Sequence, residues 1–266
     1  MGLDGKHRAL VIRAGSEHGS GDVGARDVRA RCRRRRIATG LAALASAILT
    51  AAPASACRLA LVLAIDVSSS VDAAEDRLQR QGLAAALRDA DVAAAIARSP
   101  RPVALHAFEW SGRYDQTPLL PGWLLVSGPA DLDLAATAIE RSARSRADMP
   151  TAMGYALGYA HRLLAAAPEC DAMTIDVAGD GENNEGFGPA SAYRAWPFDR
   201  VTVNALVVLP PDTGANALLP WYAANVLHGP GAFLEVALGY EDYAAAMRRK
   251  LLRELSVMVV GTAQAQ

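Results

Sequence analysis

Most of the short signatures that announce an enzyme are missing from this 266-residue chain. There is no Walker A or dinucleotide-binding glycine pattern, so no loop is built to cradle a nucleotide phosphate. No serine stands in a G-x-S-x-G elbow, which removes the usual setting of a serine nucleophile even though His106, His161 and His228 could supply a base. His106 falls in a strand-like run and His161 in a helical one, so both read as structural or surface residues. His228, in His228-Gly229-Pro230-Gly231, is on a loop able to approach a site. No apolar run reaches the roughly 20 residues of a membrane-spanning helix. No repeat or low-complexity tract divides the chain, and cysteine is scarce, with three residues in all.

The first 56 residues have a character of their own. Arg31 to Arg36 form a nearly unbroken basic block, and Ile37 to Ala52 follow as an apolar stretch without a charge. Ala54-Ser55-Ala56 then places small residues where a signal peptidase reads them. Basic region, short apolar region and A-x-A site together make an export signal, with an uncleaved anchor as the bland alternative. Residues 1–56 are therefore expected to be an N-terminal extension and signal peptide, with a periplasmic or secreted mature chain starting at Cys57. Met1 to Arg29 is long and polar for the leading region of such a signal, which places the expected start of translation closer to Arg31. The paired arginines before Ile37 match a twin-arginine motif only imperfectly. Cys57 directly after the cleavage site raises lipid anchoring, but Ala54 stands where a lipobox usually carries Leu. The leader holds ten Lys/Arg and four Asp/Glu, which leaves the mature chain with 17 Lys/Arg, 24 Asp/Glu and a formal charge of −7. Such a chain has no electrostatic footprint for nucleic acid or anionic membrane. Partners that need a metal to bridge to them fit better.

From Cys57 onward, apolar runs of strand length alternate with segments of helical period. That is the pattern of a mainly parallel sheet covered by helices on both faces. The spacing predicts strands at Leu59–Ile65, Val103–Trp110, Met173–Ala178, Val201–Leu209 and Ala232–Val236, with Leu119–Val126 as an antiparallel edge partner. Helices are predicted at Val71–Arg88, Leu132–Ser142, Ala152–Ala167 (with Thr151 as N-cap), Pro189–Trp196, Asn216–Leu227 and Glu241–Leu255. The expectation is one doubly wound α/β domain over 57–255, built on six strands, followed by a tail at 256–266. Polar residues gather at the carboxyl ends of the strands, at Asp66, Glu109 and Asp180, the edge where open α/β sheets bind ligands.

Asp66-Val67-Ser68-Ser69-Ser70 puts a carboxylate and two hydroxyls at alternate positions between a buried strand and a helix start. A hard cation such as Mg²⁺ takes oxygen ligands and keeps several waters, so a few such groups suffice to hold it. Helix capping by Ser68 or Ser70 is the competing reading. Asp66-x-Ser68-x-Ser70 resembles the first element of the metal-ion-dependent adhesion site of von Willebrand factor A domains. Two further elements of that site are matched in order, by Thr151 in Met149-Pro150-Thr151-Ala152 and by Asp180 in Ala178-Gly179-Asp180-Gly181. More narrowly, the run from Cys57 to Ser70, with Glu109-Trp110-Ser111-Gly112 and Gly179-Asp180-Gly181-Glu182-Asn183-Asn184, resembles an uncharacterised family of exported bacterial A-domain proteins.

The resemblance implies a Rossmann-like, von Willebrand factor A-like fold over essentially all of 57–255. It implies a divalent cation, Mg²⁺ first and Mn²⁺ or Ca²⁺ as alternatives, with Ser68, Ser70 and Thr151 as hydroxyl ligands. Asp66 and Asp180 would act directly or through water. One coordination position would stay open to a carboxylate on a protein or peptide partner. The Arg/Asp-rich loop before Thr151 leaves Asp148 as an alternative to it. The sheet order of that fold also sets the strands after Cys57 and Cys170 side by side, which makes these residues a candidate disulfide; two unpaired thiols are the alternative.

Other uses of the same residues fare less well. Asp180-x-Glu182-x-Asn184 suggests a calcium loop, but Glu185 replaces the needed Gly and Ser191 the bidentate Glu. An aspartyl-nucleophile phosphatase wants a second acid two residues after the first, and Ser68 occupies that position. Glu109 and Trp110 could shape a pocket rim or simply pack at an edge. The expected function is thus metal-dependent protein binding without catalysis; a metal-dependent hydrolase such as a phosphoesterase is the alternative, and a vestigial site the third possibility.

Overall fold

The computed structural model describes residues 57–209 and 217–263, with side chains to residue 256. The expected export signal and the start of the helix expected from Asn216 lie outside the described residues.

β1 (Cys57–Asp66) is buried along its whole length. Its alternate side chains serve two different cores, as a central strand between helix layers requires. Leu59, Leu61, Leu63 and Ile65 join one core, while Ala60, Val62 and Ala64 join the other. After β1 come α1 (Ala73–Leu87), α2 (Ala90–Ala97), β2 (Val103–Trp110), β3 (Gln116–Pro118), β4 (Leu124–Val126) and α3 (Pro129–Arg141). Then follow α4 (Met153–Ala165), β5 (Cys170–Gly179), α5 (Pro189–Ala195), β6 (Val201–Leu209), α6 (Leu218–Asn225), β7 (Leu234–Leu238) and α7 (Tyr243–Ala263). The sheet order is β3-β2-β1-β5-β6-β7, with β4 also on β2. β1, β2, β5, β6 and β7 run parallel, and β3 and β4 antiparallel to β2. Helices α1, α2, α3 and α7 supply the first core; α4, α5 and α6 supply the second. The chain leaves β1 toward β2 on one side and β5 lies on the other, so a crevice opens at the carboxyl end of β1. None of the described helices is long and apolar enough to cross a membrane.

Several boundaries differ from the sequence expectation for local reasons. The edge partner is two short strands, Gln116–Pro118 and Leu124–Val126, so seven strands fill six positions across the sheet. Pro118 and Pro121 remove ladder donors there, and Leu119 and Leu120 turn into the core. Helix α2 has no counterpart in the sequence expectation; its alanine-rich face gives little apolar contrast, and Asp89 caps it by accepting from the Asp91 and Val92 amides. At α1 the cap is Asp72, in a reciprocal box with Glu75, so the helix begins past Val71. Thr151 does not cap α4: the N-cap is Ala152, with no side-chain cap bond. Helix α7 continues to Ala263, into the stretch expected to be a tail.

Cys57 and Cys170 are direct register partners on β1 and β5, with Cα atoms 4.5 Å apart, and a disulfide joins them across 113 residues of chain. A bridge closing so long a loop constrains the unfolded chain strongly. The Cys57→Ser/Cys170→Ser protein should therefore lose about 2–5 kcal/mol of stability. Urea unfolding of the oxidised and double-serine proteins checks this, and equal midpoints would refute it.

One polar cluster interrupts the packing of α7. Lys250 is fully buried and contacts both Asp176 on β5 and Glu254 one helical turn on, the latter at 2.8 Å. Asn204 on β6 donates to Glu254 Oε1 at 2.7 Å and accepts from the Phe233 amide at 3.0 Å. Burial pushes the Lys250 ammonium down from its ordinary value, against the pull of Glu254.

Candidate metal centre

At the carboxyl end of β1 the chain turns sharply, and Asp66 is fully buried there. Its Oδ1 accepts the Ser68 amide at 2.7 Å, which closes the turn. Gln79, one helix away, donates to the Asp66 main-chain oxygen at 2.9 Å. The second carboxylate oxygen, Oδ2, is buried without any partner. Ser68 is also fully buried. Its hydroxyl lies 3.2 Å from Ser70 Oγ and accepts from Thr151 Oγ1 at 3.2 Å. Ser70, which faces solvent, donates to Asp180 Oδ1 at 2.7 Å.

Three chain segments thus meet in one row of oxygens, from the buried Thr151 through Ser68 and Ser70 to Asp180. All five residues singled out from the sequence are brought together. Asp148 is not: its side chain is 76% exposed and 3.5 Å from Arg146. The Asp66 carboxyl group is pushed up to about 7, first by burial and then by the charge of Asp180. A proton or a cation must answer two carboxylates held this way. Gly179 makes the approach possible, since a Cβ there would lie 3.1 Å from Asp66 Oδ2 and 2.6 Å from the Tyr222 hydroxyl.

The scaffold behind this row is long-range, and the sequence reading missed it. Arg144 donates to the main-chain oxygens of Val67 and Ser68, both at 2.8 Å. Asn184 Oδ1 accepts the Thr151 amide at 2.8 Å, and the Thr151 carbonyl accepts from the Asn184 and Glu185 amides. Asn183 Oδ1 accepts the Gly154 amide at 3.3 Å, so the loop after β5 secures the start of α4. Tyr222 reaches from α6 to donate to the Gly181 carbonyl at 3.0 Å, and burial holds its hydroxyl proton firmly. The one available hint was polar residues inside apolar runs, such as Glu109 between Phe108 and Trp110. Glu109 is no pocket rim: it is fully buried, pairs with Arg80, and accepts the Ser145 amide at 2.6 Å. Trp110 is fully buried too.

The three described histidines lie elsewhere. His106 is buried on β2, edge-on to Trp123. His161 Nε2 is 3.1 Å from the Pro197 carbonyl oxygen. His228, on a loop that the sequence left able to approach a site, bridges Val203 through its backbone and stacks on Tyr193.

Among the described residues no three His, Cys, Asp or Glu side chains gather in a metal-holding group. The side-chain oxygens gathered at this centre are those of two carboxylates and of neutral hydroxyls. An all-oxygen donor set suits a hard divalent cation and not a thiolate- or imidazole-seeking metal. The buried, unpartnered Asp66 Oδ2 is the observation that shows the fit, because a buried polar atom without a partner is costly unless something else satisfies it.

Known structures share this architecture. A von Willebrand factor type A protein from Catenulispora acidiphila superposes with a TM-score of 0.53 at 17% identity, covering 75% of this chain and 43% of that one. The pilus adhesin SpaC from Lactobacillus rhamnosus GG gives 0.52 at 12% identity, covering 75% of this chain and 30% of the adhesin. Proximal thread matrix protein 1 from the mussel byssus, with a zinc-occupied MIDAS motif, gives 0.50 at 14% identity, covering 76% and 49%. The chain spans less than half the length of each of these proteins, and at such identities the likeness establishes the fold alone. No curated protein sequence matches the chain. A family model described as "Protein of unknown function (DUF1194)" matches residues 56–259, so the chain belongs to the DUF1194 family and has a von Willebrand factor A-like fold.

Proposed function

We propose that this domain is an exported, metal-dependent binding module that takes hold of an acidic group on a protein or peptide partner and catalyses no reaction. The observation that carries the reading is the buried, unpartnered Oδ2 of Asp66, whose Oδ1 accepts the amide of Ser68 in the row of hydroxyls. Ser68, Ser70 and Thr151 would offer hydroxyl oxygens to the ion, with Asp66 and Asp180 acting directly or through water. Mg²⁺ suits that set best, with Mn²⁺ and Ca²⁺ as substitutes. When bound, the ion supplies Lewis acidity toward a carboxylate.

What the chain's own residues contribute is restraint. Neutral hydroxyls add no negative charge beyond that of the two carboxylates, and Gly179 lets Asp66 sit against β5. Ser70 opens the row to solvent, where a partner can reach it. Two structural neighbours, a pilus adhesin and a matrix protein with a zinc-occupied MIDAS motif, agree with an adhesive role. The disulfide agrees with export to an oxidising compartment. Against hydrolysis, none of His106, His161 and His228 stands at the centre, and Ser68 fills the position where a phosphatase of the aspartyl type needs an acid.

Calorimetric titration with Mg²⁺ and Mn²⁺ tests the reading. Thr151→Ala should weaken cation affinity by about 10-fold or more, since the hydroxyl both belongs to the donor row and orients Ser68. Cation binding indifferent to Thr151 would remove the site from this loop. Mg²⁺-dependent turnover in a panel of phosphate esters and carboxyl esters would replace the binding module by a hydrolase.

A further inference from the structure

Arg144 lies in the α3–α4 connection and is fastened to the loop that carries Asp66, Ser68 and Ser70. One terminal nitrogen donates to two main-chain oxygens of that loop, those of Val67 and Ser68, at 2.8 Å each. Its Nε is buried without a partner. The residues on either side are tied down as well. Ser142 Oγ accepts from Arg80 at 2.5 Å, and the Ser145 amide donates to Glu109 at 2.6 Å. Arg80 and Glu109 form a buried ion pair, with Asp76 as a second partner of Arg80 at 3.0 Å. Arg144 is thus held at its head, and the chain on both sides of it is tied to the Arg80–Glu109 pair.

A fixed cation beside a cation site is an electrostatic cost to ion binding, so its effect on the next ligand matters. Two carboxylates, Asp66 and Asp180, face the centre, and the other donors are neutral. A divalent ion alone would just balance that pair. Asp72 and Glu182 are exposed and screened by water. Arg144 favours the charged forms of Asp66 and Asp72, on Asp66 as the weakest of several influences, and its guanidinium is bonded to the loop itself.

We propose that Arg144 is a specificity-determining residue: its guanidinium, locked to the Val67 and Ser68 carbonyls, supplies the excess positive charge that draws a carboxylate, rather than a neutral oxygen donor, onto the cation-loaded centre. This rests on the metal-dependent reading above. Fixed charge at a binding site acts through complementarity, favouring one sign of ligand over a neutral isostere.

The test compares the full chain with its Arg144→Gln and Arg144→Lys variants. Mn²⁺ affinity is measured first, followed by acetate and then acetamide binding to the Mn²⁺-loaded protein through water-proton relaxation. Arg144→Gln should bind Mn²⁺ about threefold to tenfold more tightly and acetate about fivefold more weakly, with acetamide unchanged. Arg144→Lys, which keeps the charge, should retain the preference for acetate over acetamide. Raising ionic strength should shrink the difference between wild type and Arg144→Gln. A purely structural arginine would give parallel losses of Mn²⁺, acetate and acetamide binding in both variants, and that result overturns the assignment to Arg144 alone. Failure of the wild-type chain to bind Mn²⁺ overturns the metal-dependent reading and this assignment together.

Discussion

Asp66→Asn should abolish measurable saturation by Mg²⁺ and Mn²⁺, weakening the site by at least about 100-fold, or about 2.8 kcal/mol. In chelator the same variant should be no less stable than wild type. The two effects have opposite signs because they report the same charge in two states. In the cation-free fold, Asp66 is fully buried with Oδ2 unpartnered and with Asp180 nearby. Ionising it there is costly. An amide in its place keeps an Oδ1 that can accept the Ser68 amide and removes the charge. With the cation present, that charge becomes the main attraction. Calorimetry measures the loss, and thermal unfolding with Mg²⁺ or with chelator provides the second readout. Mg²⁺ should raise the melting temperature of wild type and leave that of the variant unchanged, since only a ligand bound to the native state stabilises it. An Asp66→Asn variant that still binds the ion tightly would dismiss Asp66 as a ligand.

The second large effect lies away from the centre. Lys250→Met should destabilise the domain by about 3–5 kcal/mol, because it leaves Asp176 and Glu254 buried and unpaired. Asp176 Oδ2 and Glu254 Oε2 already lack partners, and the lysine is the cation that faces both carboxylates, sharing Glu254 with Asn204. Adding Asp176→Asn and Glu254→Gln to Lys250→Met should recover a substantial part of the loss. The cost belongs to the stranded charges, not to the missing ion pair itself. Chemical denaturation of the single and triple variants, read as a mutant cycle, decides the matter. A single-variant loss below about 1 kcal/mol would mean that the cluster is solvated in solution.

The parts of the molecule that were legible beforehand share a property: each is signalled by neighbours in the chain. β2 has the bounds expected of it, Val103–Trp110, and β1 extends its expected run by only a few residues. Unbroken apolar runs that stop at a carboxylate mark such strands directly. Asp66, Ser68 and Ser70 are close enough in sequence to form a motif, and Thr151 and Asp180 follow from order along a familiar fold. The Cys57–Cys170 pairing came by the same route. By contrast, α2 was invisible because alanines carry little periodic contrast. The split of the edge strand depended on which way Leu119 and Leu120 turned.

Thr151 shows how a local rule loses to a tertiary one. A threonine before a helix ordinarily caps it, yet here its hydroxyl is 3.2 Å from Ser68 and the helix begins without a side-chain cap. The Thr151 amide instead finds Asn184. The hydroxyl is diverted toward the proposed ion at the expense of the helix end.

The sequence by itself determined the alternation of strands and helices, the acidic balance of residues 57–266, and the oxygen-bearing residues at three strand or loop ends. These are properties of short segments, set by apolar period and residue type. Only the tertiary structure decided that Arg144 clamps the Asp66 loop from 77 residues away, that Glu109 faces inward to Arg80, and that Lys250 is buried between two carboxylates. Charge pairing across such distances obeys no spacing rule. The energy of each group depends on how deeply it is buried and on what stands opposite, and both are fixed only when the sheet and its helices close.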